Sequence, residues 1–512
     1  MTEGRRDTTA LAPQKIMTPL TRRRALLNAA GFSATCASIG MLTGCGADVQ
    51  PSASGLFDPN EASLKRHTVP DWFKDAKFGV FIHWGPYSIP AFAPQPNIEE
   101  GKTGFKYNAY AEWYRNTMLF EDGPTAEFHR NTYGENHPYE YFGRSFNEAL
   151  EDWDPDDWAR LFKRSGARYV VLVAKHHDGF LLWPSATPNP HVSQWGTRRD
   201  VVGELAEAVR GQGLRFGVYY SGGVDWTFRP QRVDNFSDLF LNMPGKKDGY
   251  IQYANAQYYE LIDRYRPDYL WNDIGYPSQK AVFSILAHYY NTVPDGLTND
   301  RWISLRGFLR LGVFDRPKGM TGLIPPKPPV WDVRTPEYTI FDEILPFEWE
   351  ATRGIGHSFG YNRAETEADL ITLESIVQML AQAASYNGNV LLNVGPRGDA
   401  RIDPAQAARL ESIGAWLQLN AAALQDTRPV LLPEQTVRVG AVKRGDKYYL
   451  LLLEQPIERS VKIVLPGDLF AYENAAMMTN SKISVQISSG EVTLTASDGW
   501  GKTPAIVALT KS

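Results

Sequence analysis

The residues best suited to chemistry stand where apolar runs stop. Tyr269-Leu270-Trp271-Asn272-Asp273 is a short apolar run that ends on a carboxylate, just before Ile274-Gly275. A carboxylate at the mouth of a strand loses solvation, so it needs partners or a task. Taken alone, Asp273 is more simply an N-cap of the next helix. Other runs end in the same way. Lys77 to Ile82 leads into His83-Trp84-Gly85, Arg168 to Ala174 into Lys175-His176-His177-Asp178-Gly179, and Leu214 to Val218 into Tyr219-Tyr220-Ser221. The chain has 9 histidines, and three of them fall at these few ends beside Trp271 and Asp273, which argues for a site. Hydrolysis of a glycosidic bond calls for this inventory: two carboxyl groups with separated pKa values, directional groups for sugar hydroxyls, and an aromatic wall. Asp273 is then the candidate nucleophile. A metal-dependent barrel hydrolase using His176, His177 and Asp178 is the rival chemistry. Against it, adjacent histidines on a strand should point to opposite faces, and no His-x-His pair exists.

The elements that must position these residues alternate. Apolar runs without strict alternation suit strands buried on both faces, as in a parallel sheet; Asn389 to Val394 is a further one. Between them lie helical patterns opened by Asp154-Pro155, by Asp200 and by Asp403-Pro404, with proline early in the first turn where its missing N–H is harmless. Glu348 to Arg353 also reads as helical, its carboxylates structurally paired. Strand, loop and helix in repetition mean an α/β architecture. Polar residues at the carboxyl ends of the strands are what the active face of a (β/α)8-like TIM barrel requires. This barrel is expected over residues 69–427. From Arg428-Pro429 onward, short β-rich runs separated by Gly, Asp and Ser predict a C-terminal antiparallel β-sandwich over 428–512, with Arg444-Gly445-Asp446 as a hairpin turn.

Composition narrows the partners. A net charge of -5 gives no basic footprint for nucleic acid. The 2 cysteines cannot build a disulfide framework, so the core must hold the fold. The front is an address. Thr21-Arg22-Arg23-Arg24 precedes an apolar run with no acidic residue up to Met41, a secretory signal with a twin-arginine feature. Leu42-Thr43-Gly44-Cys45 looks like a bacterial lipobox, with Cys45 as the lipidated first residue of the mature chain. Residues 1–45 are therefore expected as a signal peptide and 46–68 as a flexible tether. This implies an exported, bacterial cell-envelope lipoprotein that meets the membrane only through its lipid anchor.

The motifs, taken in order, resemble the α-L-fucosidases of glycoside hydrolase family 29. They are Trp72-Phe73, Phe78 to Gly85, Glu112-Trp113-Tyr114, Lys175 to Phe180, Phe216 to Ser221, Trp271-Asn272-Asp273, Ser358 to Arg363 and Leu391 to Pro396. The resemblance implies a retaining exo-α-L-fucosidase that removes terminal fucose through a covalent fucosyl-enzyme, with no cofactor and no metal. Asp273 matches the nucleophile, and His83, Glu112, Trp113, His176, His177 and Tyr219 match the pocket around fucose, where Trp271 can face the apolar methyl group of a 6-deoxy sugar. Asn299-Asp300-Arg301-Trp302 is similar to the segment with a substrate-contacting arginine, here Arg301. Trp331 to Tyr338 is similar to the one with the acid/base, here Glu337, with Glu343, Glu348 and Glu350 as competing acids. The stretch from Leu305 to Pro329 separates these two segments. The implied partner is a fucosylated oligosaccharide or glycoconjugate, and an α-L-galactoside differs from it by one hydroxyl. A lipid-anchored fucose-binding protein without turnover is the non-enzymatic alternative.

Overall fold

The computed structural model describes residues 56–96, 104–304, 324–479 and 482–511. Residues 1–45, expected as a signal peptide, and most of the stretch between Leu305 and Pro329 lie outside the described residues. Seven parallel strands form one sheet: β1 Phe78–Ile82, β2 Tyr169–Lys175, β3 Arg215–Ser221, β4 Tyr269–Asp273, β5 Leu297–Thr298, β6 Trp349–Gly354 and β7 Gly388–Val394, in the order β5-β4-β3-β2-β1-β7-β6. Residues 333–337 join its two edges. Val333 N donates to Thr298 O at 3.2 Å on the β5 side, and Glu350 N donates to Arg334 O at 2.8 Å on the β6 side. Parallel bridges pair Asn299 with Val333, Arg334 with Trp349 and Glu337 with Thr352. The sheet thereby curls round into a TIM barrel whose eighth stave makes only bridge contacts.

Side-chain alternation along the strands explains the unbroken apolar runs. Phe81, Val171, Val173, Tyr219, Trp271 and Leu391 fill the barrel interior, closed by Phe73 of the helix Asp71–Ala76. Val80, Leu172, Val218, Leu270 and Leu392 instead join the larger cluster under the helices. Both faces are dry, so both are apolar. The helix starts follow their caps: Asp154 accepts from Asp156 N, Asp200 from Gly203 N, and Asp403 from Ala405 N. The helix after β4, Gln279–Thr292, is capped by Ser278, so Asp273 has no capping task.

Two expectations differ from the structure. Glu348 to Arg353 is not helical, because Trp349–Gly354 is β6, bonded to β7 and buried on both faces. Glu350 and Arg353 mimic helical charge spacing, but the barrel places Glu350 in its interior. Within the stretch 46–68 expected as a tether, Phe57 N donates to Asn291 Oδ1 at 2.7 Å and its carbonyl accepts from Asn291 Nδ2 at 2.9 Å. The His67 ring stacks on Tyr290 with centroids 3.8 Å apart. Residues 57–67 thus pack on the helix 279–292.

The remaining chain is antiparallel. β8 Arg428–Val430, β9 Val439–Arg444, β10 Lys447–Leu452, β12 Tyr472–Met477 and β15 Ile506–Lys511 form one sheet; β11 Ser460–Val464, β13 Ile483–Ser488 and β14 Glu491–Ala496 form the other. Leu450, Leu452, Val461, Ile463, Leu494 and Val507 fill the space between them as one core, the arrangement of a sandwich. Gly445 lies in the β9–β10 hairpin at φ 57°, a left-handed position where glycine carries no penalty. Among the described residues no helix is long and apolar enough to cross a membrane.

Candidate active site

A cavity of about 580 Å³ opens at the carboxyl ends of the barrel strands. Its lining includes all ten site residues expected from the sequence: His83, Glu112, Trp113, His176, His177, Tyr219, Trp271, Asp273, Arg301 and Glu337. Cys45, the expected lipidation residue, lies outside the described residues. The competing acids are elsewhere. Glu343 is exposed, Glu348 is on the approach to β6, and Glu350 is sealed in the barrel interior, where it accepts hydrogen bonds from the Tyr169 and Tyr269 hydroxyls.

Asp273 is the last residue of β4 and is nearly buried. Tyr219 on β3, opposite Trp271, donates its hydroxyl to Asp273 Oδ2 at 2.7 Å. Arg301, just beyond β5, donates through Nη1 to Asp273 Oδ1 at 3.0 Å and through Nη2 to Glu337 Oε2 at 3.1 Å. One guanidinium therefore holds both carboxylates, as its planar fork of donors allows. Burial would raise the Asp273 pKa, but the Arg301 charge and the hydrogen bonds from Tyr219 and Arg301 outweigh it and hold the carboxyl below its usual range. A carboxylate kept ionised in a dry site is suited to nucleophilic attack.

Glu337 sits on the eighth stave, which has little regular pairing, and the site anchors it by side chains. Asp300 Oδ1 accepts from Thr335 N at 3.1 Å and Thr335 Oγ1 at 2.6 Å, and Arg334 Nε lies 3.0 Å from Asp300 Oδ2. Arg301 Nε donates to Thr335 Oγ1 at 3.2 Å. Tyr110 donates its hydroxyl to Glu337 Oε1 at 3.2 Å.

The histidines are neutral hydrogen-bonding groups. Asn393 Nδ2 donates to Phe359 O, which turns its Oδ1 toward His83 Nδ1 at 2.6 Å. Ser221 Oγ donates to Val224 O and so accepts from His177 Nδ1 at 2.7 Å. Each of these rings then carries its proton on Nδ1 and offers Nε2 as an acceptor. Burial lowers the His83 pKa to about 3 and that of His177 to about 4, and it lowers His176 as well. Burial pushes Glu112 up to about 8, although Gly360 N donates to its Oε2 at 2.7 Å. An uncharged Glu112 can donate as well as accept.

The expectation that His176 and His177 face opposite ways is wrong. β2 ends at Lys175, so strand alternation no longer applies, and both rings line the cavity with centroids 4.0 Å apart. Asp178 does not join them: its Oδ2 accepts from Tyr139 and its Oδ1 from Phe180 N. The donor set of the metal-hydrolase rival is thus split, and among the described residues no group of three or more His, Cys, Asp or Glu could hold a metal ion.

Trp271 lies near the end of β4. Tyr219 stacks beside it with centroids 5.3 Å apart, and the Arg301 guanidinium lies 4.6 Å from the ring centroid. The ring thus supports the arginine and also lines the cavity. Tyr110, Tyr338, Phe359 and Ile303 line the cavity without having been singled out from the sequence. They stand on loops beyond any strand-end signal, although Phe359 falls inside the Ser358–Arg363 motif and Tyr338 ends the segment Trp331 to Tyr338.

A parallel barrel with two carboxyl groups, neutral histidines and aromatic rings gathered at its carboxyl face is a glycoside hydrolase. Comparison with known proteins gives its family. Residues 46–422 match the model described as Alpha-L-fucosidase. The chain is 32% identical over 425 residues to the tissue alpha-L-fucosidase of Bos taurus, covering 80% of each. It is 33% identical over 386 residues to the plasma alpha-L-fucosidase of Homo sapiens, covering 72% of each. Among solved structures, the Thermotoga maritima alpha-fucosidase in complex with fucose superposes with a TM-score of 0.73 at 36% identity, covering 89% of this chain and 100% of that one. The protein belongs to the alpha-L-fucosidase family.

Proposed function

We propose that the chain is a retaining exo-α-L-fucosidase acting on terminal α-L-fucose of oligosaccharides or glycoconjugates. The observation that carries this is the Arg301 guanidinium shared between Asp273 and Glu337 in one cavity. Two carboxyl groups on a single guanidinium are compatible with the separation of about 5–5.5 Å that double displacement needs. Asp273 attacks the anomeric carbon while the bond to the leaving oxygen breaks, and Glu337 gives that oxygen its proton. Glu337, now a carboxylate, takes a proton from water. The water oxygen then bonds to the anomeric carbon and releases Asp273. Neutral His83, His176 and His177, with Glu112 and Trp113, surround the sugar. Imidazole nitrogens and a carboxyl group select hydroxyl orientation, while Phe81, Trp271 and Phe359 supply an apolar side for a 6-deoxy sugar.

The test is hydrolysis of an aryl α-L-fucoside by the wild type, Asp273→Gly and Glu337→Ala. Full activity in Asp273→Gly overturns the nucleophile assignment. Azide should restore turnover to Glu337→Ala; rescue at Glu343 or Glu350 instead moves the acid/base.

Export and anchoring through Cys45, followed by a tether, are also our proposal, supported by the basic front, the apolar run and Leu42-Thr43-Gly44-Cys45. So is the division into a catalytic barrel to residue 427 and a sandwich from 428. Fatty-acid labelling of the wild type and not of Cys45→Ala would support the anchor; equal labelling would overturn it.

A further inference from the structure

Each of the two candidate catalytic carboxylates is followed at once by a bulky residue in the left-handed region: Ile274 after Asp273 and Tyr338 after Glu337, both at φ 52°. Such a conformation costs a large or β-branched side chain backbone energy, and it persists only where surrounding contacts enforce it. At Tyr338 the enforcement is visible. Its hydroxyl donates to His357 O at 2.9 Å and accepts from Gly354 N at 3.2 Å. Both Ile274 and Tyr338 line the cavity, so the strained turns aim two apolar surfaces into it.

The two surfaces differ. Ile274 packs against a mixed apolar cluster that includes Leu239, Phe240, Met243, Ile303 and Trp113. Tyr338 is half-buried: the Arg353 guanidinium lies 5.4 Å from its ring centroid, Phe359 meets it at 75°, and Tyr110 lies near it, their rings within 17° of parallel and 6.4 Å apart. Tyr110 is the residue whose hydroxyl meets Glu337, so this aromatic side borders the group that protonates the leaving oxygen. The cavity volume of about 580 Å³ is in the range that takes up a drug-sized ligand, more than one monosaccharide fills.

Resting on the fucosidase function proposed above, we propose that Tyr338, with Tyr110, forms a leaving-group subsite for a pyranose. The apolar C–H face of the sugar next to fucose rests on the Tyr338 ring. An aromatic face suits this because its negative quadrupole meets the slightly positive C–H groups of a flat sugar face. Tyr338 is thus a specificity residue: it selects fucosides whose leaving group is a ring.

The test compares two substrates that both need a proton from Glu337, a fucosyl-α-linked pyranose disaccharide and methyl α-L-fucoside. Only the first has a ring to rest on Tyr338. In Tyr338→Ala the ratio of their kcat/KM values, disaccharide over methyl fucoside, should fall about tenfold, the scale of one good aromatic contact. Tyr338→Phe keeps the ring but gives up the two hydroxyl bonds that hold the turn, so its ratio should fall less than that of Tyr338→Ala. If Tyr338→Ala does not fold, Tyr338→Leu keeps bulk without an aromatic face and should show the same fall. An unchanged ratio in the folded variant overturns the subsite, including the case where both substrates slow equally because Glu337 has moved. A wild type that cleaves neither substrate, nor an aryl fucoside, contradicts the fucosidase function itself and is recognised before any variant is made.

Discussion

Arg301→Gln is the perturbation that separates a catalytic pair from two carboxylates that happen to be neighbours. The guanidinium lies 3.0 Å from Asp273 and 3.1 Å from Glu337, and its side chain is 10% exposed. At such separations an effective dielectric near 20 gives about 4 kcal/mol of attraction per pair before desolvation. Breaking a buried pair costs about 3–5 kcal/mol, because a charge is left uncompensated. Some solvent reaches the group, so the lower part of that range applies. If Asp273 must be ionised to attack, kcat/KM should drop by about 10²- to 10³-fold, equivalent to ~3–4 kcal/mol. The pH profile should change with it. Burial pushes the Asp273 pKa up and Arg301 is the largest influence holding it down, so the variant's pKa rises. Below its pKa Asp273 is protonated and cannot attack. The acid limb of kcat/KM must then move toward neutral pH. Steady-state kinetics on an aryl α-L-fucoside across the acid and neutral range reads both effects. An acid limb in the wild-type position, or a loss below tenfold, would refute the reasoning.

Two further predictions use other buried groups. Burial raises the Glu350 pKa to about 7 against an ordinary 4.5, so the folded protein retains a proton that the unfolded chain releases. Its contribution to stability is complete below the ordinary carboxyl range and is lost as pH rises through 7. Glu350→Gln removes this titration, so between pH 5 and pH 8 the variant should gain up to about 3 kcal/mol relative to wild type. Denaturant unfolding at the two pH values measures the gain, and a difference independent of pH would count against it. Asn393 fixes the proton of His83 on Nδ1 through the 2.6 Å contact. Asn393→Ala should free the ring and weaken inhibition by fucose by about tenfold, a loss near one good hydrogen bond; unchanged inhibition would show that the tautomer does not matter.

The strand ends were legible because a parallel barrel buries both faces of each strand and leaves polar residues only at the mouths. His83, His176, His177, Tyr219 and Asp273 all stood out for that reason. β5, with two residues, and the stave at 333–337 had too little regular pairing to leave a pattern. Glu350 was misread because its partners, Tyr169 and Tyr269, come from other strands. No local spacing could reveal a carboxyl group shared by three staves. Tyr110 and Tyr338 were missed because they lie on loops, where side-chain direction is set by turns such as the left-handed one at Tyr338. The orientation of His176 and His177 was misjudged by extending strand alternation two residues past the strand, which ends at Lys175.

The central claim is that Asp273 forms the covalent bond to the sugar. A fucosyl fluoride bearing fluorine at C2 slows both steps and lets the intermediate accumulate, and digestion with mass spectrometry locates the label. One fluorofucosyl adduct is expected, on the peptide containing Asp273, and none in Asp273→Gly. An adduct on Glu337 or Glu112, or turnover with inversion and no adduct, would contradict it.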